Sequence, residues 1–190
     1  MTELFSPGIN LDTLKNKYGS TTFVETGCCT GNALLYARQL GFTKLYSCDI
    51  NQNYVNHCLE RIPGAIIHNT DSLTFLENIL LTITERTVFW LDAHFPGHYG
   101  LPDSDRTLFP LAEELQLIKT LKKSYEHDVI IFDDVRVLAA ENNPTHDPSL
   151  PNYYKINKTV AELTSIFSDT HDYTIVQVNE GVLIMIPRNL

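Results

Sequence analysis

Phe23-Val24-Glu25-Thr26-Gly27-Cys28-Cys29-Thr30-Gly31-Asn32 passes from a strand-forming run, through a glycine-containing turn, into the start of a helix. Neither glycine carries a Cβ, so Gly27 permits the tight turn and Gly31 lets the helix begin close to a bound ligand. A dinucleotide fingerprint needs G-x-G-x-x-G, whereas this stretch reads Gly27-x-x-x-Gly31, which disfavours NAD or FAD. An ordinary βα turn gives a similar pattern, so later positions have to decide what the turn holds.

Outward from this stretch, short β-branched or aromatic runs alternate with helix-length amphipathic segments, the pattern of βαβ units that build a parallel sheet. Strands are expected over Thr22 to Glu25, Lys44 to Asp49, Ala65 to His68, Thr87 to Asp92 and Asp128 to Asp133. Helices are expected around Asn32 to Leu40, Gln52 to Arg61, Ser72 to Leu80 and Leu111 to Lys122, with a further one near Asn157 to Phe167. Tyr173 to Val178 and Val182 to Pro187, joined by Asn179-Glu180-Gly181, read as a closing hairpin. The carboxyl ends of strands in an open parallel sheet form the ligand crevice, so the polar residues ending these runs converge on one edge.

A chain of 190 residues suffices for one well-buried core and is short for two domains and a linker, so a single domain over residues 1–190 is expected. Its 43% apolar and 19% charged residues suit a globular fold. The net charge of -9 gives little attraction for a polyanion, so nucleic acid is not the expected partner. The amino terminus MTELFSPGINLDTL shows no cationic start followed by an apolar run, and no stretch approaches the roughly 20 apolar residues of a membrane span. Cys28, Cys29, Cys48 and Cys58 form no CxxC pair, which argues against a disulfide scaffold or zinc knuckle and for reduced thiols in the cytoplasm. A domain of this size is compatible with a monomer or a homodimer.

Two acidic positions follow the glycine turn in order. Asp49 ends the second strand, where a carboxylate can accept hydrogen bonds from both ribose hydroxyls of a nucleoside. Asp71 and Ser72 follow the third strand, where a carboxylate and an adjacent N–H can read an adenine edge. Each Asp has a plainer alternative as a helix N-cap.

In these features the chain resembles the class I S-adenosylmethionine-dependent methyltransferases, from about Thr21 to Arg188. The resemblance implies an α/β fold, a Rossmann-like seven-stranded sheet ordered 3-2-1-4-5-7-6. The sheet would be mostly parallel with an antiparallel C-terminal strand, flanked by helices on both faces. It implies that Glu25 and the loop containing Gly27, Cys29 and Gly31 bound the methionine part of S-adenosylmethionine, Asp49 its ribose, and Asp71 with Ser72 its adenine. Cys29 departs from the family, standing where a glycine is usual. Within the superfamily, Trp90 to His94, Pro110 to Leu115 and Phe132 to Arg136 are similar to the WLDAH, Pro-x-x-x-Glu-Leu and IDDAR-like segments of an uncharacterised bacterial group. That group is related to macrocin-type sugar O-methyltransferases.

O-methylation of a small acceptor, a sugar or a secondary metabolite, is the activity this implies. Asp92, Asp133 and Asp134 are expected to gather where strands four and five end, and a bound Mg²⁺ would relieve their repulsion. Asp92 and His94 are the candidate catalytic residues, with His94 the expected general base. The long irregular stretches Phe95 to Pro110 and Glu141 to Asn152 are expected to form the acceptor pocket and its lid. A non-catalytic cofactor-binding module and a glycosyltransferase holding a sugar-nucleotide metal on Asp133 and Asp134 stand as alternatives.

Overall fold

The computed structural model describes residues 9–95, 97, 100, 108–178 and 180–189. In chain order they form α1 (Leu11–Tyr18), β1 (Thr22–Thr26), α2 (Asn32–Gln39), β2 (Lys44–Asp49), α3 (Gln52–Arg61), β3 (Ile66–Asn69) and α4 (Ser72–Ile79). There follow β4 (Thr87–Leu91), α5 (Leu111–Leu121), β5 (Val129–Phe132), α6 (Val160–Ser165), β6 (His171–Val176) and β7 (Val182–Pro187). One seven-stranded sheet runs β3-β2-β1-β4-β5-β7-β6, the order the resemblance implies. Strands β1 to β5 are parallel, and β7 pairs antiparallel with both β5 and β6.

Alternation along the strands builds a core on each face, because successive side chains point to opposite sides. Val24, Phe89, Leu91, Ile130 and Phe132 pack with Phe75 and Leu76 of α4, Leu115 and Ile118 of α5 and Leu163 of α6. Phe23, Val88, Trp90, Val129 and Ile131 face the other way, with Leu11 of α1, Leu34 and Ala37 of α2 and Val55 of α3. Strands β1, β4 and β5 are wholly buried, as parallel strands covered on both faces must be.

Several boundaries move for local reasons. Helix α1 was not anticipated; Asn10 caps it by accepting the Thr13 N–H at 2.8 Å, and Gly19 ends it at φ 64°. Ala65 belongs to a turn, its N–H donating to the Ile62 carbonyl at 3.1 Å, so β3 begins one residue later than expected. Strand β6 begins at His171, whose ring lies 2.8 Å from the Asp128 carbonyl. It ends before Val178, where the Val178 N–H turns back to Val176 and Gly181 to Val178. No helix among the described residues is long and apolar enough to cross a membrane.

Candidate active site

The turn after β1 is fixed by its own backbone, since the N–H groups of Gly27 and Cys28 both donate to the Cys48 carbonyl at 3.0 and 2.8 Å. Gly27 sits at φ 82°, and a Cβ there would lie 2.9 Å from the Asp92 carbonyl oxygen, so the first and fourth strand ends meet only because this residue is glycine. Cys29 follows at φ 44°, a left-handed conformation costing a non-glycine residue roughly 1–2 kcal/mol. That conformation aims its N–H at Asp49, which accepts it on Oδ2 at 2.9 Å.

These residues floor a crevice of about 480 Å³ along the carboxyl ends of the parallel strands. Gly27, Cys29, Asp49, Asp71 and Ser72 line one half of it, with Ile50, Tyr54 and Thr70. Asp49 also accepts the Asn51 N–H on Oδ1 at 2.8 Å. Burial raises its pKa and these two N–H groups work against that rise. The Cys28 thiol is a third donor to Asp49, and a carboxylate's roughly four acceptor sites leave room for a further hydroxyl. Asp71 caps α4, accepting from Thr74 N–H at 3.0 Å and Thr74 Oγ1 at 2.8 Å; the capping alternative is met while the residue also faces the crevice.

Two expected cofactor residues stand back from the wall. Glu25 is 3% exposed, accepts the Ser47 hydroxyl at 3.0 Å, and has its pKa pushed well up by burial. Gly31 leaves room for its own chain, because a Cβ there would lie 2.8 Å from Cys58 Sγ and 3.1 Å from Ile62 Cδ1 of the α3 segment. The need for glycine comes from its φ of 75° and from α2 packing on α3.

The other half of the crevice is lined by Asp92, His94, Phe95, Asp133, Asp134, Arg136, Leu150, Tyr154 and Glu180. His94 Nε2 lies 2.6 Å from Asp134 Oδ2 and its Nδ1 3.7 Å from Asp92 Oδ1. Burial opposes a charged ring, but the Asp134 hydrogen bond and the charges of Asp92, Asp134 and Asp133 outweigh it and raise the pKa to about 9. Asp92 keeps 38% of its side chain open. Loss of bulk solvent deep in the crevice nevertheless raises its pKa to about 6, against the pull of His94 and the Trp90 side chain. Asp133 is raised to about 7 by burial and by Asp92. Phe95 and Asp134 adopt φ 50° and 56°, so left-handed residues follow β4 and β5 as well as β1; such strain concentrates at functional sites. Phe95 is held by aromatic contacts, 4.8 Å from Tyr154 edge-on and 5.9 Å from Phe109.

This geometry bears on two expectations. Among the described residues no three His, Cys, Asp or Glu side chains are placed to hold a metal ion. Asp92, Asp133 and Asp134 do converge, yet Asp134 gives Oδ2 to His94 and Oδ1 to Arg136 Nε at 2.8 Å. Asp133 Oδ1 accepts the Asp134 N–H at 2.7 Å. The positive groups beside the Asp134 carboxylate here are His94 and Arg136. The carboxylates around His94 favour its protonated ring, and in that form it donates to Asp134. Of the two long stretches expected to form the acceptor pocket and its lid, Phe95, Pro110 and Leu150 reach the crevice wall; 96, 98, 99 and 101–107 of the first lie outside the described residues, while the second is described throughout.

Arg136, Tyr154 and Glu114 were not singled out from sequence. Glu114 left a signal: it shares a helical face with Leu111, Leu115 and Ile118, and all four are buried. A carboxylate on an apolar stripe is the informative exception to the burial rule. Burial raises its pKa to about 7, against hydrogen bonds from Ser72 and Thr26.

No protein-family model matches the chain, and no curated protein matches it in sequence. Solved structures do match its shape. A Staphylococcus aureus protein assigned as a caffeoyl-CoA O-methyltransferase superposes with TM-score 0.64 at 11% identity, over 96% of this chain and 86% of that one. The O-methyltransferase TomG from Streptomyces achromogenes, crystallised with SAM, gives TM-score 0.63 at 13% identity, over 93% and 77%. An O-methyltransferase from Bacillus cereus in complex with SAH gives 0.58 at 12% identity, over 93% and 78%. At these identities the likeness is one of fold, and the chain has the seven-stranded methyltransferase fold.

Proposed function

We propose that the protein is an S-adenosylmethionine-dependent methyltransferase acting on a hydroxyl of a small acceptor. The observation that carries this reading is the half-buried Asp49 carboxylate, held by two backbone N–H groups beside the Gly27 turn in a crevice large enough for a nucleoside and an acceptor. Asp49 would receive the ribose, Asp71 and Ser72 the adenine, and the turn from Gly27 to Cys29 the methionine part, while Glu25 supports that turn from behind through Ser47. S-adenosylmethionine supplies an electrophilic methyl group on a positively charged sulfur.

On the acceptor side, Asp92 takes the hydroxyl proton, since a pKa of about 6 leaves it ionised and basic enough near neutrality. His94, oriented by Asp134, stabilises the oxyanion that forms. Phe95 and Tyr154 provide an aromatic wall. Asp92, Asp133, Asp134 and Glu180 outnumber His94 and Arg136 on this half, which suits a neutral, hydroxylated molecule such as a sugar better than a phosphorylated one. The four free cysteines support a reducing compartment, the cytoplasm.

Incubation with methyl-labelled S-adenosylmethionine and fractionated metabolite extracts tests the reading. Label should move to a small hydroxylated compound; tight cofactor binding with no transfer in any fraction would point to a binding module instead.

A further inference from the structure

Glu114 is 1% exposed, and its carboxyl binds hydroxyl groups from two strand-end loops. It accepts from Ser72, which lines the crevice beside Asp71, and from Thr26 at the end of β1. Thr26 Oγ1 in turn accepts the backbone N–H of Asp92 at 3.2 Å. One carboxyl thus reaches both halves of the crevice from below.

Its other oxygen is the informative one. Oε1 is buried and has no hydrogen-bond partner among the described residues. Glu114 also borders a chamber of about 10 Å³, together with His94, Asp133, Leu91, Phe109 and Leu111. His94 and Asp133 also line the main crevice, so the chamber sits directly beneath the acceptor half. A buried carboxylate oxygen is costly to leave unpaired, and a space of roughly 10–15 Å³ accommodates one water when at least two polar groups face it. Glu114 and Asp133 are two such groups, with the His94 ring a third.

We propose that this chamber is the site of a single structural water bridging Glu114 and Asp133, and that Glu114 is a positioning residue for the crevice. Through Ser72 it sets the adenine side, through Thr26 the backbone at Asp92, and through the water the Asp133 carboxyl. Its importance for cofactor binding rests on the methyltransferase reading; the water does not.

The test pairs crystallography with calorimetry on the parent, Glu114→Gln and Glu114→Leu, using S-adenosylmethionine as the probe. A crystal structure of the ligand-free parent should show an ordered water in hydrogen-bond range of Glu114 Oε1 and Asp133. Glu114→Gln keeps an acceptor for Thr26 and Ser72 and should bind the cofactor nearly as the parent does. Glu114→Leu should lose the water and weaken binding about tenfold, the effect of one hydrogen bond. Absence of the water in the parent overturns the site, and parent-like affinity in Glu114→Leu overturns the positioning role. If the parent itself does not bind S-adenosylmethionine, the methyltransferase reading fails, and the water in the parent together with a shift of Ser72 and Asp92 in the Glu114→Leu crystal still decides this proposal.

Discussion

His94 Nε2 stands 2.6 Å from Asp134 Oδ2, and Arg136 Nε stands 2.8 Å from the other oxygen of the same carboxylate. Burial works against charge on Asp134, but the His94 and Arg136 contacts hold its pKa below the ordinary carboxylate value. Titrating His94 by NMR should give a midpoint near 9 in the parent. In Asp134→Asn the midpoint should fall, because the ring loses its strongest charged partner and keeps its burial. An unchanged midpoint would assign the stabilisation of the imidazolium elsewhere.

Stability should decline as pH rises through the neutral range. Glu114, Asp133 and Asp92 have folded pKa values of about 7, 7 and 6, above the roughly 4 of free carboxyls. The folded state therefore binds more protons than the unfolded one between about pH 4 and 7, and stability falls with pH wherever that holds. His94, raised to about 9, adds a loss in the same direction between its ordinary value and pH 9. Urea unfolding midpoints should drop from pH 5 to pH 8, less steeply in Glu114→Gln. A midpoint rising over that interval would contradict the burial of these carboxyls.

The sheet order was legible because its signals are local: strand-length apolar runs, helix-length amphipathic ones, and polar residues where each strand ends. The same locality placed Asp49, Asp71, Asp92, Asp133 and Asp134 along one crevice. What stayed hidden depends on pairing in space. Arg136 lies two residues beyond Asp134, and nothing in its spacing says that its guanidinium pairs with that carboxylate. Gly31 looked like a ligand-facing glycine, and only the approach of Cys58 and Ile62 shows why a side chain is excluded there. Asn10 and Gly19 did mark both ends of α1, a cap and a stop that sequence reading could have used.

At the opposite end of the sheet, Lys122 and Asp128 form a buried ion pair at 3.2 Å, with side chains 1% and 0% exposed. Asp128 also accepts the Thr87 N–H at 2.8 Å, tying β5 to the start of β4. Asp128→Ala leaves the buried Lys122 ammonium with only the Glu85 and Lys123 carbonyls as partners and should cost about 3–5 kcal/mol, as breaking one side of such a pair does. Chemical denaturation checks this; a loss under about 1 kcal/mol would mean that water reaches Lys122.

Gly27→Ala should disturb the crevice more than the fold. The new Cβ would meet the Asp92 carbonyl at 2.9 Å in a residue at φ 82°, so the turn must shift away from the fourth strand end. Cofactor binding should weaken by tenfold or more, a figure in line with roughly 1–2 kcal/mol of backbone strain, while far-UV circular dichroism stays that of the parent. Parent-like affinity would show that the turn does not touch the cofactor.

The central claim is that Asp49 receives the ribose of S-adenosylmethionine, and calorimetric titration of that cofactor into the parent and Asp49→Ala tests it most directly. Removing a charged acceptor from a hydrogen-bonded, half-buried site should cost about 1–3 kcal/mol of binding, which corresponds to a dissociation constant roughly 5- to 150-fold higher. The parent should bind and the variant should bind that much more weakly. No binding by the parent, or equal affinity in the two proteins, would contradict the account.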